Sequence, residues 1–357
     1  MVKKLKVFID GSTNINSSKD YFGQFENQLF RILHASGLLP TNIEDADLFI
    51  SVNHSNQAYK KYKSLGREKI KAILIRSEPI AVFPAQYTKR IVNKYDFVIT
   101  LGQKEEILKN HYYVEHPYSY LPNPNLQMTK GSNVKNILVS EAFNKNFDLI
   151  SWNKKEIIVS MIASNKVSCI KDNNYDLRRS YARVLPAHFL RVYGDLWGAS
   201  FCERLKHRLA VLLFSVKNLT FPNINSIYGD FFRKYNTYYG PVDDKHVIVK
   251  DSKFSLVVEN SNQYISEKIF DAMMCGSIPI YFGPNLDELG IPGKDIAVLY
   301  KGPAEKLEDY VMNLTDTDIE NYLSSIRKFL QSENFIDVWL EETVYRKIAN
   351  KIISFYG

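Results

Sequence analysis

Between residues 254 and 283 the chain gathers polar groups between a strand and a helix, an arrangement that suits an anion such as a diphosphate. Glu259-Asn260-Ser261 is followed by Tyr264, by Ser266-Glu267-Lys268, and then by Gly276, Pro279-Ile280 and Gly283. A buried strand over 255–258 predicts a polar loop at its carboxyl end, then a helix with Ser266 as N-cap and Gly276 as C′ residue. Glu267 and Lys268 fall in that helix's first turn. A lysine there is unfavourable beside the positive end of the helix dipole unless an outside anion is expected. Together with the free backbone N–H groups of the turn it would suit a diphosphate. The competing reading is an exposed Glu/Lys pair worth about 0.2–1 kcal/mol.

A second candidate lies far upstream. Ile75-Arg76-Ser77-Glu78-Pro79 ends a strand, so Glu78 stands at a strand's carboxyl end, where a carboxylate can act as general base. His54, also directly after a strand, is the alternative base. Neither a G-x-G-x-x-G nor a G-x-x-x-x-G-K-[ST] pattern is present, which disfavours a dinucleotide dehydrogenase and a P-loop NTPase. Asp243-Asp244 and Asp45-Ala46-Asp47 read as solvated acids, and no metal is invoked.

These groups need strands to hold them. Apolar runs at 7–9, 47–52, 72–76 and 97–101 alternate with helical spacing at 25–33 and 57–65. After a polar stretch from Leu121 to about Trp152 the rhythm restarts with a strand over 157–164, then 189–193, 255–258, 279–282 and 297–300, and helices over 317–356. Two doubly wound α/β domains are expected, 1–150 and 151–357, with ligands in a cleft at strand carboxyl ends.

Composition narrows the classes. With 357 residues, 45% hydrophobic and 24% charged, the chain can form two cores. Three scattered cysteines give no disulfide framework, which suggests a reducing compartment. The net charge of +7 fits an anionic partner of any kind, but no stripe of basic and aromatic residues points to nucleic acid. The longest apolar run, 209–216, falls short of the roughly 20 residues that span a bilayer. The N-terminus reads as a first strand, not a signal peptide. The segment 202–218, with Arg204, Lys206, His207, Arg208 and Lys217, reads as a half-buried helix with solvated charges. A basic amphipathic element on an anionic membrane is the alternative.

The 254–283 segment resembles the donor-binding motif of the α-1,3/4-fucosyltransferases, glycosyltransferase family 10, which are inverting enzymes of GT-B fold. The Glu-Asn-Ser…Tyr…Glu-Lys half carries the specificity of this likeness, because the helix-Gly-Pro-strand half is shared by many GT-B enzymes. Ile162-Ala163-Ser164-Asn165 resembles the family's loop at the top of the donor domain. Tyr175-Asp176-Leu177-Arg178 resembles the segment whose arginine binds the donor diphosphate, and Lys245 fits the approach to the motif. About half the chain, roughly residues 157–335, follows the pattern. The resemblance implies two Rossmann-like domains facing a cleft, an acceptor-binding one and a donor-binding one. It implies transfer of L-fucose from GDP-fucose to an oligosaccharide or lipid-linked glycan, α-1,3 or α-1,4 to a GlcNAc-type sugar, with no metal cofactor. Glu78 would be the general base. Arg178 and Lys268 would clamp the diphosphate, with Arg179 able to exchange roles with Arg178. Glu267 would accept from ribose hydroxyls, Asn260 and Tyr264 would meet sugar or phosphate, and Ser164, Asn165 and Lys245 would complete the donor site. Glu259 would brace the loop. A bacterial-type member making surface glycan such as lipopolysaccharide O-antigen would be cytoplasmic or peripheral at the inner membrane face. The Ser261–Tyr264 loop is shorter than in some bacterial members. The alternatives are a GT-B enzyme for another nucleotide sugar and a non-catalytic sugar-binding protein.

Overall fold

The computed structural model describes residues 5–11, 36–66, 70–103, 110–118, 138–218 and 233–356. The helical spacing expected at 25–33 and the linker residues 122–125 lie outside them. Two compact units emerge, Met1–Ser119 with Asp337–Gly357, and Tyr120–Ile336. The break therefore falls about thirty residues before the expected one near 150, and the last helix leaves the second unit for the first. Short helices at Glu141–Asn144 and Leu149–Asn153 already belong to the second unit, because Phe143, Phe147 and Trp152 are buried there and Trp152 donates its indole N–H to the Lys253 carbonyl.

In the first unit six parallel strands, β1 (Leu5–Gly11), β2 (Leu38–Pro40), β3 (Leu48–Val52), β4 (Lys71–Arg76), β5 (Phe97–Leu101) and β6 (His111–Val114), lie in the order β2-β1-β3-β4-β5-β6. The β3 and β5 strands are buried at every position, as an apolar run without alternation requires when both sheet faces are covered. Helix α1 (Asn56–Ser64) covers one face through Ala58 and Tyr62, against Phe8, Phe49, Leu74 and Val98.

The second unit holds β7 (Ile157–Ile162), α2 (Tyr175–Val184), β8 (Leu190–Tyr193), α3 (Phe201–Asn218), β9 (Tyr238–Gly240), α4 (Lys245–Lys250), β10 (Ser252–Val258), α5 (Lys268–Met274), β11 (Ile278–Phe282) and α6 (Asp316–Leu330). Its strands are again parallel, in the order β11-β10-β7-β8-β9. The strand expected over 297–300 contributes only an isolated bridge, Val298 to Ile280. Gly276 ends α5 as expected, at φ +62°, where a Cβ would meet the Asn146 carbonyl oxygen at 2.2 Å. Helix α7 (Glu341–Tyr356) then returns to the first sheet, burying Val344, Tyr345, Ile348, Ala349 and Ile352 against its second face.

Helix α3 reverses the expected division of labour. Its two arginines are not on the solvated face: Arg208 is buried, and Arg204 donates to the Trp197 and Ala199 carbonyls, while Lys206 is exposed. Phe201, Leu205, Leu209 and Leu213 are exposed at four-residue spacing, one stripe of the helix. Among the described residues no helix is long and apolar enough to cross a membrane.

One half-buried cation tunes stability. Lys155 donates to the carbonyls of Lys250 and Cys275, and burial lowers its pKa from 10.5 to about 8. Between those values the unfolded chain binds the extra proton, so this group makes the fold more stable as pH rises from 8 towards 10.5. The melting temperature of the wild type should therefore climb relative to that of Lys155→Met between pH 7.5 and 9.5. A constant difference across that range would refute the assignment.

Candidate functional site

The carboxyl ends of β7, β8 and β10 point to the same edge of the second sheet, and the loops that leave them build the site. A cavity of about 430 Å³ opens there, lined in part by Ser164, Gly194, Asp195, Lys245, His246, Glu267, Lys268 and Asp271. The bend at Gly194 is one only glycine fits: φ is +121°, and a Cβ would lie 2.7 Å from the Ala163 carbonyl oxygen. Backbone of the two neighbouring loops thus meets at the cavity wall.

The loop after β10 is braced from below. Glu259 is fully buried and accepts from the Ser266 N–H at 2.9 Å and the Ser266 hydroxyl at 2.7 Å. Burial raises its pKa, an effect the nearby Lys268 opposes. The Ser266 hydroxyl also accepts from Lys268 Nζ at 3.1 Å, so a chain of contacts runs from the buried acid to the ammonium at the cavity. Ser266 was expected as N-cap of α5; that place falls to Glu267, and the serine hydroxyl is donated to Glu259 instead.

Both arginines of α2 are turned inward. Arg178 is buried and donates from Nε to the Val258 carbonyl at 3.0 Å and from a terminal nitrogen to Asn260 Oδ1 at 3.0 Å. Burial lowers its pKa. Arg179, also buried, donates to Lys166 O at 2.7 Å and Asn165 Oδ1 at 3.3 Å and pairs with Asp176. One helix thereby fastens both the loop after β7 and the loop after β10.

Of the residues singled out in the sequence, Ser164, Lys245, Glu267 and Lys268 meet at the cavity, whereas Asn165, Arg178, Asn260 and Tyr264 are not among its lining. Asn165 and Asn260 receive the arginines, and the Asn260 carbonyl accepts from the Asn174 N–H. Tyr264 is 3% exposed and bridges back to Ser261. In this structure it packs as a core residue of the short loop, not a surface one. Lys245 Nζ lies 2.6 Å from Asp271 Oδ2 and 3.1 Å from Glu267 Oε1. Burial opposes its charge, but the two carboxylates outweigh that and raise its pKa. Gly194, Asp195, His246 and Asp271 were missed. Asp271 could have been found, since it stands four residues after Glu267 and so on the same helix face.

Glu78 belongs to the first unit. Its carboxylate is exposed and its backbone is held: the N–H donates to Asn53 Oδ1 at 3.2 Å, and the carbonyl accepts from Gln86 Nε2 at 3.0 Å and the Tyr87 hydroxyl at 2.9 Å. Asn53 adopts φ +55° to make this connection and also accepts from the Ser77 N–H. His54, the alternative base, is buried with ring nitrogens 2.8 Å from Tyr95 Oη and 3.0 Å from Asn56 Oδ1, and burial lowers its pKa. It is a structural histidine.

Two Rossmann-like parallel-sheet units, the second with its cavity at the strand carboxyl edge, make this a GT-B fold. Solved structures similar over nearly the whole chain include Anabaena HepE in complex with UDP and glucose, 10% identical, covering 98% of this chain and 100% of that one, with a TM-score of 0.53. An alpha1,3-fucosyltransferase is 17% identical, covering 99% and 91%, with a TM-score of 0.51. T4 phage BGT in complex with UDP and Mn²⁺ is 12% identical, covering 98% and 99%, with a TM-score of 0.51. No family model matches the sequence. The alpha-(1,4)-fucosyltransferase of Arabidopsis thaliana is 32% identical over 97 residues, 26% of this chain. The match spans about a quarter of that plant protein, 24% of its length.

Proposed function

We propose that the protein is a nucleotide-sugar-dependent glycosyltransferase, and within that class a fucosyltransferase that moves L-fucose from GDP-fucose to a hydroxyl of a glycan acceptor. The observation that carries this reading is the cavity at the carboxyl edge of the second sheet, where Lys268 and Glu267 stand side by side. The limited identity to the plant fucosyltransferase supports the choice of sugar. In the proposed reaction the acceptor oxygen attacks the anomeric carbon of fucose, and the bond from that carbon to the diphosphate oxygen breaks. The acceptor proton passes to Glu78, GDP leaves with the electron pair, and the anomeric configuration inverts. Lys268 offsets the charge that grows on the diphosphate. Glu267 accepts from the ribose hydroxyls.

Thermal shift with GDP-fucose, GDP-mannose and UDP-glucose tests the donor. A true donor at about 100 times its Kd stabilises by about 2.7 kcal/mol. GDP-fucose should stabilise most strongly and should yield GDP when N-acetyllactosamine is added. A response to UDP-glucose alone would replace the donor, and binding without turnover on any acceptor would favour a sugar-binding protein.

In the same reading the exposed stripe of α3 rests on the acidic lipid surface that carries a lipid-linked acceptor, with Lys206 exposed beside it. The wild type should co-sediment with phosphatidylglycerol vesicles, and Leu209→Ser with Leu213→Ser should abolish this. Absence of wild-type binding would remove the membrane from the proposal.

A further inference from the structure

We infer that Asp271 and His246 are positioning residues that act through Lys245 to aim the Glu267 carboxylate at the ribose diol of the bound nucleotide. The inference rests on the nucleotide-binding reading above and deepens it. Five charged or titratable side chains form one unbroken path. Asp244 caps α4, accepting from the His246 N–H at 2.9 Å, and its Oδ1 is also 3.1 Å from His246 Nδ1. His246 Nε2 lies 3.0 Å from Asp271 Oδ1, and the other oxygen of Asp271 lies 2.6 Å from Lys245 Nζ. Lys245 Nζ then reaches Glu267 Oε1 at 3.1 Å.

Burial grades along this path. Asp271 has a side chain only 4% exposed, so its charge must be met inside the protein, and His246 and Lys245 meet it. Glu267 is 34% exposed at the side chain and lines the cavity. The buried end is thus an anchor and the cavity end a presented carboxylate. A glutamate on a helix surface loses rotamer freedom when it binds, and one already held by an ammonium loses less. A carboxylate with two acceptor oxygens suits a vicinal diol.

The rival is that Lys245 is itself a ligand of the diphosphate. The two accounts differ in sign. If Lys245 met phosphate directly, Asp271→Asn would remove a competing anion and tighten nucleotide binding. If Asp271 positions Lys245 and hence Glu267, the same change weakens it, and does so through the ribose.

Isothermal titration with GDP and with 2′,3′-dideoxy-GDP separates these outcomes. The wild type should prefer GDP by about tenfold, the scale of hydrogen bonds to a charged group. In Glu267→Gln, Lys245→Met, Asp271→Asn and His246→Gln that preference should fall to less than about threefold, and Lys245→Met combined with Asp271→Asn should be no worse than either alone. A merely structural role would lower the melting temperature and leave the diol preference of the folded fraction intact, which would overturn the inference, as would tighter GDP binding by Asp271→Asn. Should Asp271→Asn not fold, Lys245→Met, a third exposed, carries the same test. If the wild type binds UDP and not GDP, the comparison is made with the uridine pair. If it binds neither, the nucleotide-binding reading fails first and the inference with it.

Discussion

Glu78→Gln should lower kcat for glycosyl transfer by about 10³-fold, within the range a lost general base produces, while leaving donor Kd and melting temperature nearly unchanged. The separation of effects follows from how Glu78 is held. Its loop is fixed through main-chain atoms, by Asn53 at the N–H and by Gln86 and Tyr87 at the carbonyl, and none of those bonds uses the carboxylate. Exchange of the carboxylate for an amide therefore removes the proton acceptor of the proposed reaction and little else. Asn53→Ala should act differently: it breaks the loop's support, lowers the melting temperature and reduces turnover through misplacement. Turnover in Glu78→Gln within a factor of three of the wild type would take this residue out of the mechanism.

Lys268→Met should reduce kcat/KM for the donor by at least about 10²-fold, or about 2.7 kcal/mol, with a smaller loss in GDP affinity. The ammonium is half-buried at the cavity, and its Ser266 contact rests on a carboxylate wholly shielded from water. In the proposed reaction a cation fixed in this way needs no reorganisation as negative charge gathers on the leaving diphosphate, so its largest contribution would come in the transition state. Equal losses in GDP binding and in kcat/KM would instead mark a ground-state ligand. A change under threefold in both would exclude contact with the phosphates. Lys268→Arg is a useful companion, because it keeps the charge while replacing a compact ammonium by a planar guanidinium of different reach and donor geometry.

Central strands were the most legible part of the fold. Residues 72–76 and 97–101 read as buried strands because unbroken apolar runs have no other economical use in an α/β domain, and β4 and β5 follow them closely. Of the edge strands, β11 was legible at 279–282, whereas β2, β6 and β9 escaped notice. The polar or aromatic β6 sequence His-Tyr-Tyr-Val is only half-buried, and β9 has three residues. The domain break was misplaced because apolar periodicity marks elements, not the partners they choose: Phe143 and Trp152 look alike whichever core receives them. At the site, residue type was legible and direction was not. The family resemblance makes Arg178 a phosphate ligand, yet its Nε donates to a main-chain carbonyl at the end of β10, a contact that depends on how α2 sits over the sheet. Lys245 is assigned to the donor site only by resemblance, and only the fold brings Asp271 and Glu267 to it.

The return of α7 to the first sheet bears on synthesis. Residues 344–352 supply the cover for one face of a sheet whose strands are made first, while the 120–336 unit is continuous in sequence. On the ribosome the second unit can complete its core before the first, inverting the usual N-to-C order. Until residue 352 emerges, the β1–β6 sheet lacks the helix side chains that pack on one of its apolar faces. A C-terminal truncation at 336 would expose the same face permanently, so its harm should appear as aggregation in the half of the protein farthest away in sequence.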